Sequence, residues 1–141
     1  GTHMAFTMGE ITQDDPVMVR VHIASTLRDV CDVMVPGQTS WSFSRALERI
    51  AAEGCGVAVL LSGDDYEEDI NESINSVLTA KKIIPRRHRH AGSDVTIGTG
   101  SQILRDLGVG KMRLLSYPAK YNALTGFDLE VVEFVEFEVP A

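Results

Sequence analysis

Residues 57–61 read Val-Ala-Val-Leu-Leu, five apolar residues in succession. A run this short cannot span a membrane, and a strand with one wet face would alternate. It therefore reads as a strand buried on both faces, which needs cover on both sides of the sheet. Val17-Met-Val-Arg-Val-His-Ile23 alternates and is rich in β-branched residues, so it reads as a second strand. Between them, residues 40–53 form an amphipathic helix. Ser40 or Ser42 can cap it, Phe43, Leu47 and Ile50 share one face, and Gly54 or Gly56 ends it.

The remainder follows the same alternation. Residues 30–35 are a weaker strand candidate closed by Pro36-Gly37. The acidic stretch 64–72 opens a helix running to about Lys82, since negative charge suits a helix N-terminus. Residues 85–94 read as a loop. Residues 102–107 form a helix stopped by Gly108, residues 112–115 a strand, and a short helix follows Pro118. Residues 129–139 form a long strand in which Val131, Phe134 and Val135 break the alternation, the mark of a bulge. The fold class is α/β, a layered domain with a mixed sheet.

Length and charge limit what such a domain can be. A chain of 141 residues suits one domain, large enough to bury roughly two-thirds of its unfolded surface without a disulfide or structural metal. At 44% hydrophobic it is not disordered, and no apolar run approaches the ~20 residues of a membrane span. A net charge of −7 argues against a nucleic-acid polymer as partner. Two cysteines, Cys31 and Cys55, lie in apolar surroundings without tight spacing and read as thiols of a reducing cytoplasm. Residues 1–4 read as a cloning remnant, residues 5–15 as a flexible N-terminal segment linking to a missing upstream domain, and residues 16–141 as the domain.

Three features invite chemistry. Lys81, Lys82, Arg86, Arg87 and Arg89 place five positive charges, with His88 and His90, in ten residues that hold no acid. Setting those five aside leaves −12 on the rest of the chain. Arg86, Arg87 and Arg89 are candidates for binding an anion such as a phosphate. The alternative is a solvated loop that pairs with the acidic stretch. Gly98-Thr99-Gly100-Ser101 leads into a helix and reads either as an anion-cradling turn or as a structural turn capped by Ser101. His22, Cys31, Cys55, His88 and His90 show no metal-ligand spacing, and His22 on a strand is explained by core packing.

Five segments, taken in order, resemble GTP cyclohydrolase II. They are Val17-Met-Val-Arg-Val-His22, Arg45-Ala-Leu-Glu-Arg-Ile-Ala-Ala-Glu-Gly54, Gly100-Ser-Gln-Ile-Leu-Arg-Asp-Leu-Gly-Val109, Lys111-Met-Arg-Leu-Leu-Ser116 and Gly126-Phe-Asp-Leu-Glu-Val-Val-Glu133. The resemblance implies a zinc enzyme of riboflavin biosynthesis that opens the imidazole ring of GTP, releasing formate and pyrophosphate. It also implies a homodimer, often fused behind a 3,4-dihydroxy-2-butanone 4-phosphate synthase domain, which would be the N-terminal partner of this one.

The departures from the family are equally specific. Of its three zinc cysteines, the first position falls at Ser25 and the other two within residues 36–39, which hold no cysteine. Its Arg-rich phosphate loop is replaced by Ser62-Gly-Asp-Asp-Tyr-Glu-Glu68, and its Asp-x-Arg by Ser93 and Val95, with Ile97 where a tyrosine follows. What remains of the nucleotide site is Arg20 beside His22, Ser116 and Lys120. The implied reading is a degenerate domain without its zinc cofactor. It would serve as a structural or regulatory module, with a small phosphorylated metabolite or nucleotide as the possible ligand.

Overall fold

The computed structural model describes residues 2–24, 26–31, 41–62, 71, 74–75, 94–118 and 122–137. Five strands form one sheet: β1 (Met4–Met8), β2 (Val17–Ile23), β3 (Gly56–Leu61), β4 (Lys111–Leu115) and β5 (Glu130–Val135), in the order β1-β3-β2-β4-β5. The last four lie parallel to their neighbours and β1 is antiparallel to β3, so the sheet is mixed. The apolar run 57–61 fills the role its composition demands, with Val57, Ala58 and Val59 fully buried.

Helices cover both faces. On one side α1 (Phe43–Glu53) packs Ala46 and Ile50 against Met18, Ala58 and Leu115. Its ends are those the sequence marks. The Ser42 hydroxyl accepts from the Arg45 amide at 3.3 Å, and Gly54, at φ 85°, donates its amide to the Ile50 carbonyl. On the other side α2 (Asp94–Asp106) and a 3-10 turn (Asn122–Phe127) cover Val17, Val19, Val57, Val59, Met112 and Leu114.

Three segments differ from expectation. Part of the segment read as flexible, residues 5–15, lies in a strand, since Met4–Met8 pairs with residues 56–60 and the His3 Nδ1 accepts from the Ser62 amide. Helix α2 begins at Asp94 rather than Gln102, so Gly98-Thr99-Gly100-Ser101 is helix interior and offers neither an N-cap nor an anion-binding turn. The reason is packing: a Cβ on Gly100 would stand 3.1 Å from Val21 Cγ1, so glycine lets the helix approach the sheet. Ser101 is buried. In place of the start of a strand at 30–35 there is a short π-helical turn, Thr26–Val30.

The other expectations on this part of the chain fall as follows. Residues 32–35, most of the helix at 64–82 and the loop at 85–93 lie outside the described residues, although Asn71, Ile74 and Asn75 are helical. The bulge in the last strand is present: Val131 faces Met112 and Glu133 faces Arg113, leaving Val132 as the extra residue. Among the described residues no helix is long and apolar enough to cross a membrane.

Gly56 marks the tightest contact between α1 and the sheet. A Cβ there would lie 2.7 Å from both the Met18 carbonyl oxygen and Ile50 Cγ2. Gly56→Ala is therefore expected to destabilise the fold by about 1–3 kcal/mol in urea unfolding. An unchanged midpoint would contradict this packing.

Candidate functional site

The site follows from where two strands part. β2 and β4 pair only from Val17–Met112 to Val19–Leu114, whereas β2 continues beside β3 as far as Ile23. After β2 the chain crosses the α1 face to reach β3. After β4 it crosses the opposite face, through the 3-10 turn, to reach β5. Connections diverging from adjacent parallel strands leave a crevice at their carboxyl ends, the usual ligand position in open α/β sheets.

Arg20 bridges this split. Its Nη1 donates to the Leu115 carbonyl on β4 at 2.8 Å, its Nη2 to the Trp41 carbonyl ahead of α1 at 3.3 Å, and its Nε to His22 Nδ1 at 2.9 Å. The guanidinium thus ties together β2, β4 and the entry to α1. Trp41 extends the same tie, donating its indole N–H to the Val135 carbonyl at 2.9 Å and packing its ring on Phe137.

His22 lies at the centre, with no solvent exposure. Because Arg20 donates to Nδ1, the proton of the neutral ring sits on Nε2, which donates to Asp29 Oδ2 at 2.8 Å. Burial, with the charges of Arg20 and Arg28 adding to it, pushes the imidazole down to about 4; the bond to Asp29 opposes this without overcoming it. At neutral pH the ring is uncharged, and both its nitrogens are engaged.

Asp29 closes the network. Its Oδ1 accepts from the Phe43 amide at 2.8 Å, placing a carboxylate on the first turn of α1, where the helix dipole favours it. Arg28 Nη2 donates to Asp29 Oδ2 at 3.2 Å and to the Ile23 carbonyl at 3.0 Å. The π-helical turn thus folds Asp29 back over the end of β2. Arg28 and Asp29 were not among the residues marked by sequence. The signal lay in His22 itself, since a buried imidazole requires partners.

Of the residues that the resemblance implies for a nucleotide site, Arg20 and Ser116 lie at this crevice, Ser116 directly after the carbonyl that Arg20 holds. The Ser116 amide donates to the Val135 carbonyl and its Oγ to the Tyr117 carbonyl. Lys120, the anion candidates Arg86, Arg87 and Arg89, and their neighbours Lys81, Lys82, His88 and His90 lie outside the described residues, as do Ser25, residues 36–39 and Ser93.

A zinc ion held by three thiolates does not fit this chain, which has two cysteines in all. Those two do not converge. Cys31 follows the carboxyl end of β2 through the π-helical turn, whereas Cys55 directly precedes the first residue of the parallel β3, at the opposite end of the sheet. Cys55 Sγ donates to the Glu10 carbonyl.

Strand order and the two helix layers define an open α/β domain with a topological switch point between β2 and β4. The family model for GTP cyclohydrolase II matches residues 1–136, so the chain belongs to the GTP cyclohydrolase II family. It is 43% identical over 137 residues to a 3,4-dihydroxy-2-butanone 4-phosphate synthase of Pseudomonas syringae, covering 97% of this chain and 37% of that one. It is 36% identical to the riboflavin biosynthesis protein RibBA of Aquifex aeolicus, covering 96% and 35%. Among solved structures it resembles RibBX of A. baumannii, described as a two domain 3,4-dihydroxy-2-butanone 4-phosphate synthase, with a TM-score of 0.56 and 33% identity over 94% of this chain and 31% of that one. The chain spans about a third of the length of these relatives.

The burial of His22 has a measurable consequence. An unfolded imidazole takes up a proton near 6.5, and the folded one resists until about 4, so acid favours unfolding. This contribution is complete above pH 6.5 and is lost as the pH falls toward 4, amounting to on the order of 3 kcal/mol. Urea unfolding of wild type and His22→Gln across pH 4–7 should show the variant lacking this part of the slope. Parallel slopes would contradict the buried neutral ring.

Proposed function

We propose that this domain does not open the ring of GTP and acts as a structural module for an attached 3,4-dihydroxy-2-butanone 4-phosphate synthase. The observation that carries the reading is the engagement of the crevice's polar groups with one another. Arg20 holds two backbone carbonyls and His22, His22 holds Asp29, and Asp29 holds the start of α1. Groups locked in this way brace a fold, and both ring nitrogens of His22 are committed before any substrate arrives. The missing thiolates support the reading, because ring opening in this family draws its attacking water from zinc. So do Asp64, Asp65, Glu67 and Glu68, which occupy the sequence position that the resemblance gives to the family's cationic phosphate loop. Three relatives between 37% and 43% identical carry the name of the synthase. In this reading the protein is cytoplasmic and homodimeric.

The purified full-length protein is expected to hold well under one zinc per protomer and to release no formate from GTP above a no-enzyme control. Formate release abolished by a chelator would contradict the proposal.

A second reading, a binding module for a small phosphorylated metabolite or nucleotide, is favoured by the position of Arg20 and Ser116 at the crevice. Thermal unfolding with GTP, GMP, ribulose 5-phosphate and FMN separates the two. A ligand at ~100 times its Kd stabilises by roughly 2.7 kcal/mol, a shift of several degrees. The structural reading predicts no shift with any of them.

A further inference from the structure

The two edges of the sheet are built differently. At β5 the edge carries Glu130 and Glu133, is interrupted by the bulge at Val132, and is followed by Glu136. Charge and irregularity of this kind keep an edge from pairing with further strands. At β1 the sequence is Met4-Ala-Phe-Thr-Met8, with no charge and no bulge, and all five residues are exposed. Met4, Phe6 and Met8 alternate along one face and are 50%, 44% and 44% exposed.

That face is the one α1 covers. Phe6 stands opposite Ala58, which packs under α1, and its ring meets that of Phe43 edge-on at 5.6 Å. The apolar row therefore continues the layer beneath α1 outward past the last strand, as though the layer had one more strand to cover. Among the described residues nothing pairs with the outer edge of β1, and an uncharged edge with an apolar row is a pairing site.

The relatives supply the means of covering it. This chain spans 37%, 36% and 35% of three curated relatives and 31% of RibBX. We propose that β1 is where the rest of the full-length polypeptide joins this domain: a strand from outside these 141 residues pairs with the outer edge of β1 and lays apolar side chains over Phe6 and Met8. A second copy of the chain is the weaker occupant. Antiparallel pairing of two five-residue strands falls well short of the ~1,200–2,000 Å² that stable interfaces bury. A tethered strand needs no such area, because its effective concentration reaches the millimolar range. The inference is independent of whether GTP is turned over, since an active domain would need the same edge covered.

Hydrogen exchange of residues 5–8 in the full-length protein tests it. The amides facing β3 and those facing outward should both be protected, the outward ones slowed by ~100-fold or more relative to open chain. That protection should persist when the protein is diluted a hundredfold. Outward amides that exchange like open chain would overturn the proposal, as would protection that vanishes on dilution, the mark of a second copy.

Discussion

The upper half of this domain depends on one guanidinium. Beyond Val19 and Leu114 the central strands β2 and β4 no longer pair, so two parallel strands separate inside the layer that α1 covers. Arg20 spans the gap with bonds to the Leu115 and Trp41 carbonyls and to His22. A delocalised cation with five donors suits this task, because it satisfies carbonyls on diverging elements while its charge faces Asp29 through a neutral ring. The arrangement is self-consistent: the hydrogen bond donated by Arg20 to Nδ1 fixes the His22 tautomer, the tautomer directs the Nε2 proton to Asp29, and Asp29 caps α1.

This chain of bonds also explains how the domain can retain the family's scaffold beside departures from the family's chemistry. The sheet, both helix layers and the crevice belong to the fold. The resemblance leads one to look there for three thiolates, more than the two cysteines of this chain can supply, and for an arginine-rich loop where residues 62–68 read Ser-Gly-Asp-Asp-Tyr-Glu-Glu. The scaffold itself needs Arg20 and His22, because removing either would leave a buried partner unsatisfied, a cost of several kcal/mol that does not depend on any ligand.

Much of this fold was legible in the residues. β2 and β3 announce themselves by alternation and by continuous apolarity, and α1 by Ser42 and Gly54 at its ends. Where reading failed, tertiary context overrode local preference. Gly98, Gly100 and Ser101 are poor helix formers, so the start of α2 looked like a turn; close approach to Val21 is what places glycine there. β1 gives no strand signal in the sequence because an edge strand with every residue exposed carries no burial pattern. Asp29 escaped notice because its role depends on a π-helical turn that folds it back over β2, and no sequence period encodes that turn. The crevice itself is a property of strand order, visible only once β3 and β4 are known to flank β2.

The central claim is that the polar groups of the crevice are locked on one another, with His22 neutral at their core. Nitrogen-15 chemical shifts of the His22 ring at pH 7 test it most directly. The account predicts a neutral imidazole with its proton on Nε2 and an unprotonated Nδ1. A doubly protonated ring, or one with its proton on Nδ1, would contradict it, because neither can accept the bond from Arg20.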